Sequence, residues 1–236
     1  MISKFFFASL GLALICGCAA ALPAPTPLDK ERSIIGISVN VRAPIRLFSN
    51  QAQRVYFVRI ESGEPTYQEA LIASNYTKGD YVYLLNARPG RYAAVAASSS
   101  NVSRGPLFPS TSPSGPSMTV RFTSTIYLSE KLIRASVVEV KPATVAFMGE
   151  FIVDSSIGVE GADPAQAHYY RLLEPGAETR SAFATLMSGE QAYRAADYQS
   201  DHSNIAQQKF LDYTRQAIEE AGWTSVLQNP VKADKP

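Results

Sequence analysis

The alternation of apolar and polar positions is clearest from Ser33 to Arg42. There Ile35, Ile37, Val39 and Val41 share one parity against Gly36, Ser38 and Asn40. A period of two over this length predicts a strand with one face in and the other out. Pro44 interrupts it; Ile45 to Phe48 is a candidate continuation, before a polar turn at Ser49-Asn50-Gln51. Arg54 to Glu61 carries apolar residues on both parities, as a central strand does. Ser62-Gly63-Glu64-Pro65 is a turn. Tyr67 to Asn75 reads as strand, although Gln68-Glu69-Ala70-Leu71 also suits a helix start, and Tyr76-Thr77-Lys78-Gly79-Asp80 reads as a turn. Tyr81 to Asn86 is strand again, rich in aromatic and branched residues.

Further strands are predicted over Thr119 to Leu128, Leu132 to Val140 and Thr144 to Asp154, the last two joined by the turn Lys141-Pro142-Ala143. In the last, Val145, Phe147, Gly149, Phe151 and Val153 are expected on one side, with Gly149 marking a bulge or a close backbone approach. About seven to nine strands separated by turn signals predict a mainly β fold, an antiparallel two-sheet β-sandwich spanning 33–158. After Ser155 the pattern shifts, and 159–236 reads as a helical C-terminal extension packing on the sandwich. Ala165 to Leu173 suits a short helix or strand, Arg180 to Met187 a pair of helical turns, and Glu190 to Tyr198 a helix capped by Ser188 or Gly189. The clearest helix is Asn204 to Ala221, capped by Asp201 or Ser203 and stopped by Gly222. Its apolar stripe is Ala206, Phe210, Tyr213, Ala217 and Ala221, with Trp223 as the expected anchor. Gln228 to Pro236 is a polar tail.

Between the strands, Ser98 to Met118 is irregular, with prolines 106, 109, 113 and 116 and glycines 105 and 115. Loops of that length are either disordered or functional. Leu107 and Phe108, two apolar residues in a polar stretch, are the candidate binding-loop residues.

Two local motifs carry family resemblances. The first is Ile15-Cys16-Gly17-Cys18, which closes the uncharged apolar run Phe5 to Ile15 behind Lys4. The run is shorter than the ~20 residues needed to span a bilayer and reads as a signal segment over 1–17. The four residues resemble a bacterial lipobox. The resemblance implies a diacylglycerol thioether on Cys18, cleavage before it, a fatty acid on the new amine, and a place in the cell envelope. Ala19 in the sorting position implies the outer membrane. The rival ending is ordinary cleavage after Ala19-Ala20-Ala21, which releases a soluble protein. Prolines 23, 25 and 27 make 18–32 an extended tether, able at ~3.1 Å per residue to lift the body a few tens of Å.

The second motif is Pro89-Gly90-Arg91-Tyr92. A Pro-Gly turn with tyrosine two residues on resembles the corner of β-sandwich domains, where the tyrosine hydroxyl bonds to backbone upstream. Together with Val140-Lys-Pro-Ala-Thr-Val-Ala-Phe-Met-Gly149, it resembles the transthyretin-like and carboxypeptidase-regulatory-like sandwiches of bacterial envelope lipoproteins. Ala143 stands where that family often has glycine. Pro89, Gly90 and Tyr92 are therefore read as structural.

Composition narrows the function classes. The sequence has 236 residues, with 22 Lys+Arg against 21 Asp+Glu. Near-neutral charge argues against nucleic acid and against anionic lipid as electrostatic partners. Both cysteines lie at the signal boundary, so no internal disulfide or thiolate zinc site is expected. With only His168 and His202 available, a metal site from Asp197, Asp201 and His202 is weak. Glu150 with Asp154 is a weak carboxylate pair, and no Gly-x-Ser-x-Gly elbow or phosphate loop occurs. The expectation is a lipid-anchored, non-catalytic binding or structural module without cofactor, facing another envelope protein, peptidoglycan or a glycan. An envelope hydrolase and a surface carbohydrate-binding or adhesion protein are the alternatives.

Overall fold

The computed structural model describes residues 23–42, 51–61, 63–106, 117–176 and 189–228, with the backbone alone at 102–106 and 117–121. Its strands are β1 (Ser33–Arg42), β2 (Arg54–Ile60), β3 (Leu71–Ala73), β4 (Tyr76–Lys78), β5 (Tyr81–Ala87), β6 (Gly90–Pro106), β7 (Ser117–Tyr127), β8 (Val138–Val140), β9 (Val145–Ile157) and β10 (Glu190–Asp201). The helices are α1 (Glu130–Ala135), α2 (Pro164–Leu173), α3 (Asn204–Ile218) and α4 (Thr224–Leu227), with short 3-10 turns at Pro65–Tyr67 and Glu219–Ala221. The chain is mainly β with helices towards its C-terminus.

The sheet is not the expected pair of antiparallel layers. The strands form one mixed sheet in the order β3-β2-β6-β7-β10-β9-β1-β5-β4, with β8 attached to β6. Two pairs, β1 with β9 and β7 with β10, are parallel. Alternation along a strand tells which face is buried, not the direction of the neighbour, so the sequence pattern is silent on this difference.

The sheet curls until its two ends meet. The Ala52 N–H donates to the Val39 carbonyl at 2.9 Å, and Asn40 forms an isolated antiparallel bridge with Gln51. Ser74 and Asn75, adjacent in the chain, donate to opposite edges: Ser74 to Val55 at 2.8 Å and Asn75 to Tyr83 at 3.0 Å. This pairing requires the short strand β4 where the sequence predicts only a turn; the turn itself is Gly79-Asp80, since Lys78 pairs with Tyr81.

Other expectations change too. The irregular stretch 98–118 is largely ladder: β6 and β7 pair from Ala96↔Tyr127 to Pro106↔Ser117. Its serines and threonines have little burial pattern to read, yet a hairpin needs only continuous backbone pairing. Leu107 and Phe108 lie outside the described residues, as do the candidates at 45–48 and 180–187 and the tail from 229. Leu132 to Val140 divides into α1 and β8. Ser129 caps α1 by accepting from the Leu132 N–H, and Glu130 pairs with Arg134 one turn on. Glu190 to Tyr198 is strand, not helix. Its alanines and glutamine favour helix, but β10 fills the gap between β7 and β9, and ladder pairing on both sides outweighs that preference.

Two apolar clusters lie on either side of the sheet wall. The first fills the curl and continues under α1 and α2, with Ile35, Ile37, Val39, Phe57, Val82, Leu84, Phe151, Val153, Leu132, Ile133 and Tyr169. In β6 every residue from Tyr92 to Ala97 is buried, and four of those six are alanine. Small side chains on both faces let the helices approach closely. Gln166, in the capping box of α2, is also buried and donates to the Tyr127 and Ala195 carbonyls at 3.1 and 2.8 Å, extending the contact where β7 and β10 separate.

The second cluster lies under α3 and contains Ile34, Tyr81, Tyr83, Leu85, Val145, Phe147, Phe210, Ile218 and Trp223. Here the sheet is aromatic and the helix needs a slot. Gly36 supplies it, since a Cβ there would stand 2.2 Å from Phe210 Cε2. The predicted stripe is rotated: Ala206, Phe210, Thr214 and Ile218 are the buried residues of α3, while Tyr213 is exposed. Ser203 is the cap, and Gly222, in the left-handed region at φ 84, ends the turn after α3.

Candidate functional site

The best-defined cluster of chemically active side chains follows from a bulge in β9. Opposite β1, Gly36 pairs with Phe147 and Ser38 with Glu150, so one residue faces two. The extra residue includes Gly149 at φ 117, a conformation that favours glycine. A bulge reverses parity. Val145 and Phe147 lie in the α3 cluster, but Phe151 and Val153 lie in the other one, correcting the expectation that all four share a side. The reversal also turns Glu150 towards α3.

There Glu150 Oε1 accepts from the Tyr81 hydroxyl at 2.6 Å and from Lys209 Nζ at 3.1 Å. Lys209 Nζ also sits 5.8 Å from the centre of the Tyr81 ring. Burial, and then the Glu150 carboxylate, hold the Tyr81 phenol far above its usual range. A proton held that firmly does not serve acid–base chemistry near neutrality. The three groups join β5, β9 and α3.

His202 lies beside this cluster. A Cβ on Gly149 would be 2.6 Å from its Cε1, and its ring meets Phe151 edge-on at 5.4 Å. One side of the imidazole is open to solvent; the covered side lowers its pKa from 6.5, against the opposing pull of Asp201. Asp201 accepts from the Ser203 N–H at 2.8 Å, which holds its carboxyl below the usual range. Asp197 lies on β10, and Asp154 is 3.8 Å from Arg42. No group of three or more metal-ligating side chains occurs among the described residues. His168 packs edge-on against Tyr67 and Tyr169; its Nε2 and Thr66 Oγ1 are buried without a hydrogen-bond partner.

The Pro-Gly-x-Tyr segment forms a hydrogen-bonded turn. Tyr92 is buried and donates its hydroxyl to the Arg88 carbonyl at 2.8 Å, while Arg59 Nη2 donates to the Pro89 carbonyl at 2.9 Å. Beside it is a shallow cleft of ≈ 380 Å³ lined by Asp29, Glu31, Arg32, Arg59, Arg88 and Pro89. Arg32 Nε bonds Asp29 Oδ2 at 2.7 Å, and this pairing, first of several causes, lowers the Asp29 pKa. The overall charge gave no hint of this grouping, because the three arginines come from three separate segments and are offset by acids, Asp29 and Glu31 in the same cleft among them.

The β6–β7 ribbon is the remaining feature. β2 pairs with β6 only as far as Ser98, and β10 pairs with β7 only from Thr123 onward. Residues 99–106 and 117–122 pair with each other past the last described ladder pairs of β2 and β10, and the Ser100 N–H donates to Gln53 Oε1 at 3.2 Å. Cys18 lies outside the described residues. No helix among them is long and apolar enough to cross a membrane. No family model, curated protein or solved structure matches this chain.

Proposed function

We propose that this protein is a bacterial envelope lipoprotein, anchored through Cys18, whose body is a non-catalytic binding or structural module. The carrying observation is Ile15-Cys16-Gly17-Cys18 at the end of an uncharged apolar run. Two or three acyl chains make attachment durable, whereas one alone holds only marginally. Ala19 favours the outer membrane. The Tyr92–Arg88 bond is consistent with kinship to the transthyretin-like sandwiches, but the mixed, curled sheet departs from a two-layer antiparallel plan.

The non-catalytic reading draws on the use of the clustered charged groups. Tyr81, Glu150 and Lys209 bond one another across three elements. The β6–β7 ribbon, which extends past the last described pairs of β2 and β10, is the surface this reading offers to a partner. That partner is another envelope component: protein, peptidoglycan or glycan.

Metabolic labelling with a fatty acid tests the anchor. The wild-type chain should carry label and fractionate with membranes, and Cys18→Ala should do neither. An unlabelled wild-type chain would overturn the reading.

A further inference from the structure

The proline-rich tether is docked over most of its length. Trp223 is fully buried and donates its indole N–H to the Pro25 carbonyl at 2.7 Å. Asn86 Nδ2 donates to the Thr26 carbonyl at 2.9 Å, and Asn86 Oδ1 accepts from the Leu28 N–H at 2.8 Å. The Ala143 N–H donates to the Glu31 carbonyl at 3.3 Å. Polyproline backbone makes no hydrogen bonds of its own, so these external partners hold it to the body. The expected spacer is thereby shortened. From Cys18 to Pro23 the chain can span at most about 18 Å, whatever its conformation.

The end of the sheet next to this docked segment is where β1 begins, β5 ends and β6 begins. It holds the cleft in which Arg32, Arg59 and Arg88 outnumber Asp29 and Glu31, with exposed Lys30 nearby. Two of the three guanidinium groups are positioned, Arg32 by Asp29 and Arg59 by Pro89. Arg88 is exposed. Guanidinium matches the fork of phosphate oxygens, and its attraction to a charged surface acts over about a Debye length, ~8 Å at physiological salt. A short leash is needed to bring the two within that range. From this end β6 runs away to Pro106, so the ribbon leaves from the opposite end.

We propose, building on the lipidation of Cys18, that the docked tether seats this end of the body on the bilayer. Arg32, Arg59 and Arg88 then meet the headgroup phosphates, and the β6–β7 ribbon points away from the membrane. The test uses the full acylated chain in phosphatidylethanolamine–phosphatidylglycerol vesicles. After processing at Cys18 no free thiol remains, so one introduced cysteine takes one fluorophore. Lys30→Cys marks the cleft end and Lys78→Cys the far end of β5. Quenching by headgroup-nitroxide lipid should be several-fold stronger at position 30. It should fall there in an added Arg88→Glu background, and the difference between positions should shrink with Trp223→Phe.

Equal quenching at the two positions of an acylated, vesicle-bound chain overturns the seating and leaves the anchor standing. A chain without acyl mass overturns both. Unchanged quenching with Arg88→Glu, a surface substitution that leaves packing intact, overturns the role of the arginines.

Discussion

Helices cover the sheet wall in two places, and they do so in opposite ways. Under α1 and α2 the sheet offers alanines, and the bulk comes from the helices through Leu132, Ile133 and Tyr169. Under α3 the sheet offers Tyr81, Tyr83 and Phe147, and the helix answers with Phe210. Phe210 stacks on Phe147 with ring centres 4.7 Å apart and meets Tyr81 edge-on at 5.2 Å. The first arrangement is intolerant of added volume and the second depends on one large ring. Fold stability is therefore distributed differently on the two sides of one continuous sheet.

The largest expected effect is on the aromatic side. Phe210→Ala should cost about 3–5 kcal/mol, the range for emptying a buried aromatic site. Native-state hydrogen exchange should show protection lost in α3 while α2 keeps its own. Equal loss in both helices would break the distinction between the two clusters. Overpacking should separate the sides next. Gly36→Ala, which drives a Cβ into Phe210, and Ala94→Leu, in the buried alanine run, should each cost about 1–3 kcal/mol in denaturant unfolding. Adding Phe210→Leu should relieve the first and leave the second unchanged.

A smaller effect, of opposite sign, is expected at Ala143, a non-glycine residue in the left-handed region at φ 53. Ala143→Gly should stabilise by about 1 kcal/mol, seen as a higher midpoint in urea. The smallest effect is at His202. Its folded-state pKa lies below the unfolded 6.5, so the unfolded chain binds the proton first. Its neutral form carries no penalty above pH 6.5, and stability falls as pH drops from there through the folded value. Removing the titratable group with His202→Gln should flatten the Tm between pH 7 and 5 relative to wild type. An unchanged slope would assign it to other groups.

What the sequence disclosed depended on burial contrast. β1 spans Ser33 to Arg42 as its alternation predicts, but the face expected outside is covered as well, since every residue from Ser33 to Val39 is buried; Gly149 marks a bulge as its isolation in a strand suggests. Trp223 anchors the C-terminal segment. β10 was hidden because its residues favour helix and its environment is supplied by two remote strands. The serine-rich part of β6 was hidden because neither face carries an apolar code. α1 left a trace that could have been read: Ser129 before Glu130, with Arg134 four residues later, is a capped and ion-paired helical start. The Glu150 cluster was hidden by parity, since a uniform alternation through Gly149 points that carboxylate to the wrong face. The arginine cleft was invisible because its members meet only after the tether has docked.

The place of β10 has a consequence for the order in which the chain matures. β7 and β9 are neighbours in sequence across α1 and β8, yet they do not pair with each other: each pairs with β10, which lies between them. A nascent chain ending before Glu190 therefore carries two unsatisfied strand edges, the kind that recruit other chains into aggregates. Non-local pairing of this sort is slow to form, so the interval before β10 is made is when the chain has the most to lose to aggregation.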